Sequence, residues 1–254
     1  MSLFSLKGRV AVVTGASSGL GKRFAEVLAK QGADIAIVAR RLDRLEEHAK
    51  TIEALGVKCL PVKCDATNEE EVVAAVKKIV AHFGKIDILV NNAGIAIGGE
   101  TENVPGKDFR SVVDVNLNGV FYFAREAGKD MIKNQYGRII NVASMYGQVG
   151  NKFTPCLSYH ASKGAVINLS RGLAAEWAKH KITVNSLCPG FFDSEMTDAF
   201  IETNEFSEFV KNTCCLERTG KPQELDTALI FLAADGSSYI TGQPIFVDGG
   251  WTAI

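Results

Sequence analysis

Short apolar runs alternate along the chain with longer segments of helical period, and this alternation limits the possible folds more than any other feature. An apolar run at 9–14 precedes a helical segment at 20–31, and a run at 34–39 precedes one at 42–55. The later segments follow the same order, with strands at 57–62, 87–90, 138–143, 182–187 and 244–247 and helices at 69–83, 108–133, 158–179 and 222–234. Nearly continuous Val, Ile and Ala are typical of strands that helices cover on both faces. The pattern predicts a doubly wound α/β fold with about seven parallel strands.

The alternation runs through both halves of the chain without a linker or an internal repeat, and it weakens at 191–217. A chain of 254 residues can bury one large core or two small ones. Because no composition break separates the halves, we expect one domain spanning 1–254.

Charge and apolar content exclude several classes of function. The chain has 28 Lys and Arg against 29 Asp and Glu, which gives a net charge of −1 and no basic stripe for nucleic acid. No apolar run approaches the roughly 20 residues that span a bilayer, and no signal segment precedes the first strand. The six cysteines form no C-x-x-C pair, so we expect buried thiols and no metal site. These features favour a cytoplasmic protein that binds neither membranes nor nucleic acids.

A glycine-rich turn follows the first predicted strand and opens the first predicted helix. Its candidate ligand-binding residues are Gly15, Ser17, Ser18, Gly19, Leu20 and Gly21. Glycines here let the backbone approach a pyrophosphate, which the free N–H groups and dipole of the helix stabilise. The turn is therefore a candidate site for a dinucleotide.

Three other interpretations of this turn are possible. A P-loop fails at two positions, because it needs glycine in place of Ala16 and serine or threonine in place of Arg23. The stretch from Gly15 to Gly19 matches the G-x-S-x-G elbow of hydrolases, but elbows follow several strands and need a later acid and histidine, and no such pair is evident. An ordinary turn without a ligand is the third interpretation.

Arg40 and Arg41 follow the second predicted strand, where a carboxylate would usually hold the adenosine ribose. A guanidinium pairs with a phosphate in bidentate fashion, so a cofactor with a 2′-phosphate fits better than one without it. This interpretation favours Arg40 over Arg41, and the alternative is that both are solvated charges at the start of a helix.

Tyr159 and Lys163 lie four residues apart, on one face of a predicted helix. A nearby ammonium favours the phenolate and moves the pKa of a tyrosine toward the working range of an acid–base group. Ser144 ends a predicted strand and could donate a second hydrogen bond to a carbonyl oxygen. Asn116 is a further polar group predicted to face the sheet.

Together these motifs make the chain resemble a short-chain dehydrogenase/reductase over nearly its whole length, with a Rossmann-type fold. The residues that carry the resemblance are Gly15, Gly19, Gly21, Asp65, Asn91 to Gly94, Asn116, Ser144, Tyr159, Lys163, Pro189, Gly190 and Asp248 to Gly250. The resemblance implies a homotetramer and an NADP(H)-dependent oxidoreductase that interconverts a ketone and a secondary alcohol.

The resemblance also implies a role for each matching residue. Tyr159 would donate and accept the proton, Ser144 would orient the substrate oxygen, and Lys163 would tune Tyr159 and bind the nicotinamide ribose. Asn116 would hold a water that links Lys163 to solvent. The residues implied to line the rest of the cofactor site are Asp65 and Ala66 near the adenine, Asn92, Ala93 and Gly94 at the adenosine-side turn, and Pro189, Gly190 and Ser194 near the nicotinamide.

Two segments are expected to shape the substrate site. Fifteen positions separate Ser144 from Tyr159, which looks longer than usual for the family, with the extra residues at 150–156. The weakly patterned segment 191–217 occupies the place of the family's substrate lid. Its sequence is similar to gluconate 5-dehydrogenase-like members, which implies a keto sugar acid or polyol. A hydroxysteroid or other lipophilic ketone, a 3-oxoacyl thioester on a carrier protein, and a non-catalytic NADP-binding sensor are the alternatives.

Overall fold

Seven parallel strands form one sheet in the order β3-β2-β1-β4-β5-β6-β7. The structure is a computed structural model that describes residues 3–192, 197, 201 and 203–254. The strands are β1 (Val10–Thr14), β2 (Asp34–Ala39), β3 (Cys59–Lys63), β4 (Ile88–Asn91), β5 (Gly137–Val142), β6 (Ile182–Pro189) and β7 (Pro244–Val247). The helices are α1 (Gly19–Lys30), α2 (Leu42–Glu53), α3 (Glu69–Phe83), α4 (Gly106–Val113), α5 (Gly119–Asn134), α6 (Leu157–Trp177), α7 (Asn204–Thr213) and α8 (Asp226–Ala233). The predicted doubly wound parallel fold is confirmed.

Helices cover both faces of the sheet, and the strand residues alternate between two cores. Ala11 and Val13 of β1 pack with Phe24 of α1 in one core, whereas Val12 packs with Phe123 of α5 in the other. All five residues of β1 are therefore buried. This two-sided burial is the physical reason for the continuous apolar runs in the sequence.

Two parts of the chain differ from the sequence prediction. The helix expected at 108–133 is split into α4 and α5 by a π turn, Asp114–Asn118, which contains the buried Asn116. Helix α7 lies inside the weakly patterned segment, where Thr203 begins it by accepting a hydrogen bond from the Phe206 N–H. Hydrophobic periodicity reveals neither feature. A π turn changes the backbone hydrogen bonding without changing the apolar pattern, and the segment that contains α7 has only a weak pattern.

All six cysteines are free thiols, and five of them are buried, as expected. Within the described ranges, no helix combines the length and apolar character needed to cross a membrane.

A layer of buried polar side chains joins the middle of the sheet to α6. The Asn141 amide donates to Ser170 Oγ at 2.9 Å and accepts from Asn91 Nδ2 at 2.9 Å. Ser186 Oγ donates to the same Ser170 hydroxyl at 2.9 Å. Because each group is fully buried, the layer fixes β4, β5, β6 and α6 in one relative position.

Replacing Asn141 with Leu should destabilise the fold, because the change removes the buried hydrogen bonds that Asn91 and Ser170 make with Asn141. We expect a loss of about 2–3 kcal/mol in the free energy of unfolding, measured by urea denaturation. The control Asn134→Leu, at the exposed end of α5, should change it by less than about 0.5 kcal/mol. Equal effects of the two substitutions would contradict the proposed role of the layer.

Candidate active site

A crevice of about 730 Å³ opens at the carboxyl ends of the strands, where the strand order reverses between β1 and β4. The segments that follow β1 and β4 run to opposite faces of the sheet. Neither segment covers the ends of these two strands, so a crevice stays open between them. The glycine-rich turn borders one end of the crevice and Tyr159 with Lys163 borders the other. Gly15 and Tyr159, 144 positions apart in the sequence (159 − 15), thus share one cavity.

The glycine-rich turn packs tightly on the segment that follows β4. Gly15 has a positive φ of +67°, and a Cβ atom there would lie 2.8 Å from the Ala93 Cα. Gly21 does not line the crevice; a side chain on it would meet Asn92 Nδ2 and the Gly15 carbonyl. The N–H groups of Asn92 and Ala93 both donate to Thr14 Oγ1, at 3.0 and 3.1 Å. The turn therefore needs glycine for close packing as well as for access to a ligand.

The amino terminus of α1 is free to receive an anion. Ser18 precedes the helix in an extended conformation and its side chain makes no capping hydrogen bond. The first turn of the helix contains no acidic residue. Since Ser17, Ser18, Gly19 and Leu20 all line the crevice, this end of α1 suits the pyrophosphate of a dinucleotide.

Both predicted arginines line the crevice beside this turn, but they differ in how they are held. Arg41 donates to Ser17 Oγ at 3.0 Å and to Ser18 Oγ at 2.7 Å, whereas the Arg40 side chain is exposed. This anchoring of Arg41 depends on the conformation of the turn and has no signal in the sequence; the preference for Arg40 as the phosphate ligand stays a prediction. Together the three side chains Ser17, Arg40 and Arg41 fit the 2′-phosphate of NADP(H). Because the Ser17 hydroxyl pairs with Arg41 and no histidine, the turn does not form a nucleophile elbow.

The other predicted cofactor residues border the same crevice, with one exception. They are Asp65, Ala66, Asn92, Ala93, Gly94, Pro189 and Gly190. Ser194 lies outside the described residues, so its predicted contact with the nicotinamide stays a prediction. Asp65 Oδ1 accepts hydrogen bonds from the N–H and hydroxyl of Thr67, which fixes its carboxylate at the end of β3.

Ser144, Tyr159 and Lys163 meet at the other end of the crevice. The Ser144 hydroxyl accepts from the Tyr146 N–H at 3.1 Å and forms a hydrogen bond with Tyr159. The Lys163 ammonium donates to the Val142 carbonyl at 2.7 Å and lies 5.4 Å from the centre of the Tyr159 ring. A serine from the end of β5 and two side chains one turn apart on α6 thus form a compact acid–base group.

Burial controls the protonation of this group. It raises the pKa of Tyr159 to about 12, and the hydrogen bond with Ser144 offsets part of this rise. Burial also lowers the pKa of Lys163 to about 8. The lowering of the Tyr159 pKa expected from Lys163 is therefore outweighed by desolvation of the phenol. At neutral pH the phenol is protonated, which is the form that donates a proton to a carbonyl oxygen.

Asn116 does not line the crevice, but its side chain connects Ile95, which does, to Ser162 on α6. Its amide accepts from the Ile95 N–H at 2.8 Å, and donates to the Ile95 carbonyl at 2.9 Å and to Ser162 Oγ at 3.1 Å. A Cβ on Gly94 would lie 3.3 Å from Asn116 Oδ1 and 3.5 Å from Lys163 Nζ. Asn116 therefore stands next to Lys163, and the water implied for it stays a prediction.

The wall beside Tyr159 comes from the loop after Ser144 and from 191–217, the two segments expected to shape the substrate site, but none of the predicted site residues belongs to it. Tyr146 stacks on His160 with ring centres 4.6 Å apart and meets Phe191 edge-on at 5.7 Å. In the long loop, Phe153 stacks on Phe209 of α7 at 4.6 Å. The sequence shows the aromatic residue in the turn after Ser144 and the Phe residues at 191–209. Which of these rings contact one another depends on the tertiary fold.

Replacing Arg41 with Ala should weaken NADPH binding selectively. Loss of a charge-assisted contact to the 2′-phosphate corresponds to about a tenfold or greater rise in the Kd for NADPH, with little change for NADH. Fluorescence titration with both cofactors measures this, and Lys50→Ala on the exposed face of α2 is the control. A similar loss of affinity for both cofactors would contradict the phosphate role.

Comparisons with known proteins agree with this geometry. A family model described as enoyl-(acyl carrier protein) reductase matches residues 15–252. Gluconate 5-dehydrogenase of Gluconobacter oxydans (strain 621H) is 36% identical over 251 residues, 98% of this chain and 97% of the relative. A probable NADP-dependent mannitol dehydrogenase of Yarrowia lipolytica (strain CLIB 122 / E 150) is 40% identical over 253 residues, 99% of this chain and 90% of the relative.

A solved short-chain type dehydrogenase/reductase from Mycobacterium marinum superposes with a TM-score of 0.94 at 37% identity, covering 99% of this chain and 98% of that one. These matches span the glycine-rich turn, the Ser144–Tyr159–Lys163 group and the whole sheet. The chain belongs to the short-chain dehydrogenase/reductase family and is an oxidoreductase.

Proposed function

We propose that this oxidoreductase uses NADP(H) to interconvert a ketone and a secondary alcohol, with Tyr159 as the proton donor and acceptor. The observation that carries the proposal is the shared crevice, in which a 2′-phosphate site and a buried Tyr–Ser–Lys group face the same space. When bound, NADPH supplies a hydride to the carbonyl carbon. The protein's own residues supply position, hydrogen bonds and the proton.

In the reducing direction the Tyr159 hydroxyl donates its proton to the carbonyl oxygen as the carbon accepts the hydride. Ser144 donates a second hydrogen bond to the same oxygen and stabilises the negative charge that develops there. Lys163 presents an ammonium next to Tyr159, which favours return of a proton from solvent after each turnover. Asn116 acts as a positioning residue, because its amide holds the Ile95 backbone and the hydroxyl of Ser162, which precedes Lys163 in the sequence.

Tyr159→Phe is the direct test of this mechanism. Without the acid–base hydroxyl, we expect kcat for ketone reduction to fall about a thousandfold, while the Kd for NADPH changes less than threefold. The control is Tyr239→Phe, at a fully exposed position outside the crevice. Steady-state kinetics of ketone reduction measure kcat, and titration with NADPH measures the Kd.

Two outcomes would count against the proposal. Retained turnover in Tyr159→Phe would remove the assigned role of the phenol. Tight NADPH binding by the unaltered protein, with no oxidation across sugar ketones, steroids and acyl thioesters, would favour the non-catalytic sensor.

For the substrate class we propose a keto sugar acid or a polyol. The relatives named for gluconate and mannitol support this class, since both compounds are hydroxylated open-chain molecules. The aromatic side chains of Tyr146, Phe191 and Phe192 in the crevice favour a lipophilic ketone such as a hydroxysteroid as the second candidate. An acyl thioester is the third candidate substrate, and its support is the description of the matching family model.

We further propose that the chain acts as one domain, 1–254, in the cytoplasm, and that 191–217 is its substrate lid. Free thiols at all six cysteines suit a reducing compartment. In support of the lid, Phe191, Phe192 and Thr197 border the crevice.

We also propose a homotetramer in which α4, α5 and α6 pair between subunits. Phe109, Phe121 and Leu157 on these helices are 38%, 39% and 50% exposed in the single chain, and burying them between subunits would be favourable. Multi-angle light scattering should give a mass near four times 27.4 kDa. A monomeric mass at micromolar concentration would contradict the tetramer.

A further inference from the structure

Two adjacent cysteines follow helix α7 and take no part in the proposed mechanism. Cys214 is buried and Cys215 is exposed, and no other two cysteines of the chain are neighbours in the sequence. The Cys214 thiol donates to the Gly249 carbonyl at 3.2 Å. The Cys215 thiol donates to the Gly250 carbonyl, also at 3.2 Å. Both sulfur atoms therefore face one dipeptide, which follows β7.

This dipeptide needs glycine at both positions. Gly249 and Gly250 have positive φ values of +66° and +83°, a conformation that other residues rarely adopt. A Cβ atom on Gly249 would lie 2.7 Å from Cys214 Sγ. A Cβ atom on Gly250 would lie 2.9 Å from Cys215 Sγ. The two residues, which we call the diglycine turn, thus fit closely over the two thiols.

The diglycine turn is linked to the crevice through aromatic side chains. Trp251 follows it directly, and its ring centre lies 5.4 Å from that of Phe191 and 5.2 Å from that of Phe209 on α7. Phe191 borders the crevice, and Phe209 stacks on Phe153 of the long loop. Cys214 belongs to the same buried cluster as Trp251. A displacement of the turn would therefore move rings that form the wall beside Tyr159.

The difference in exposure between the two thiols gives an order of reaction. A small disulfide reaches Cys215, and exchange there leaves half of the reagent attached as a mixed disulfide while the other half departs as a thiol. Because Cys214 is the preceding residue, its sulfur can attack Cys215 Sγ within the chain and release the second thiol. The net reaction oxidises two cysteine thiols to one disulfide and reduces the reagent to two thiols.

A disulfide between neighbouring residues is strained and easily reduced. Cα atoms across a trans peptide are about 3.8 Å apart, whereas disulfides usually join Cα atoms about 4.4–6.8 Å apart. Strained or exposed disulfides have high reduction potentials and are typical of regulatory sites. Because a disulfide has no S–H group, its formation breaks the hydrogen bonds to the Gly249 and Gly250 carbonyls wherever the sulfur atoms move.

We infer that Cys214 and Cys215 form a reversible redox site, which a low-molecular-weight disulfide such as oxidised glutathione converts to a vicinal disulfide. Oxidation releases the diglycine turn and weakens substrate binding, because Trp251 and Phe191 lose their support. The effect on the substrate rests on the proposed function, whereas formation of the disulfide does not. Disulfides in the cytoplasm, the proposed location, are mostly of this transient, redox-sensing kind.

Mass spectrometry tests whether the disulfide forms. The reduced protein is incubated with oxidised glutathione, its remaining thiols are alkylated under denaturing conditions, and trypsin then releases residues 212–218, a peptide that contains only these two cysteines. We expect this peptide to lack two hydrogen atoms and to carry no alkyl group, and prior treatment with dithiothreitol to restore the dialkylated form. Cys214→Ser, which removes the attacking thiol, should instead keep glutathione on Cys215. A dialkylated peptide from the oxidised unaltered protein, or glutathione that stays on its Cys215, would overturn the inference.

Kinetics with and without oxidised glutathione test the effect on the substrate. In the unaltered protein, oxidation should raise the KM for 5-keto-D-gluconate about fivefold or more and change the Kd for NADPH less than about twofold, because the turn lies on the substrate side. Cys215→Ser cannot form the disulfide, so its KM should not respond to the reagent. A disulfide that forms without raising KM would overturn the link to the substrate site. A reduced protein that oxidises NADPH with neither this ketone nor any other would contradict the proposed function and leave the mass measurement unaffected.

Discussion

The reversal of strand order between β1 and β4 is the constraint on which the rest of the site depends. It opens the crevice, and the Thr14 hydroxyl holds the two strand ends together by accepting from Asn92 and Ala93. The glycine-rich turn packs directly on this junction, so the position of α1 is fixed relative to β4. An anion bound at the amino terminus of α1 is thereby placed at a defined distance from Ser144, Tyr159 and Lys163.

The π turn around Asn116 connects this junction to α6. Its amide makes hydrogen bonds to the Ile95 backbone and to Ser162, which lies next to Lys163 in the sequence. A regular helix at this point would change the direction of the Asn116 side chain and break its hydrogen bonds to both partners. The irregular turn is consistent with the frequent occurrence of π turns at functional sites.

Much of the fold follows from the sequence, because two-sided burial of β1, β2 and β4 produces continuous apolar runs that local patterns reveal. Tyr159, Lys163 and Ser144 were identifiable because their chemistry depends on residue type and spacing. Other features depend on contacts between distant segments and leave no local signal. The anchoring of Arg41 by Ser17 and the stacking of Tyr146 on His160 belong to this group. The raised pKa of Tyr159 belongs to it too, since desolvation is a property of the assembled site.

A short parallel bridge pairs Phe192 with Gly220, and the Gly220 N–H donates to the Phe191 carbonyl at 2.9 Å. This bridge brings the two ends of the intervening segment together beside β6. A segment anchored in this way can change length with a small entropic penalty, roughly 0.6 kcal/mol for each doubling. In the proposed role of this segment as the substrate lid, mutations in it would alter what the enzyme accepts while the sheet stays unchanged, so new specificities could evolve on a constant scaffold.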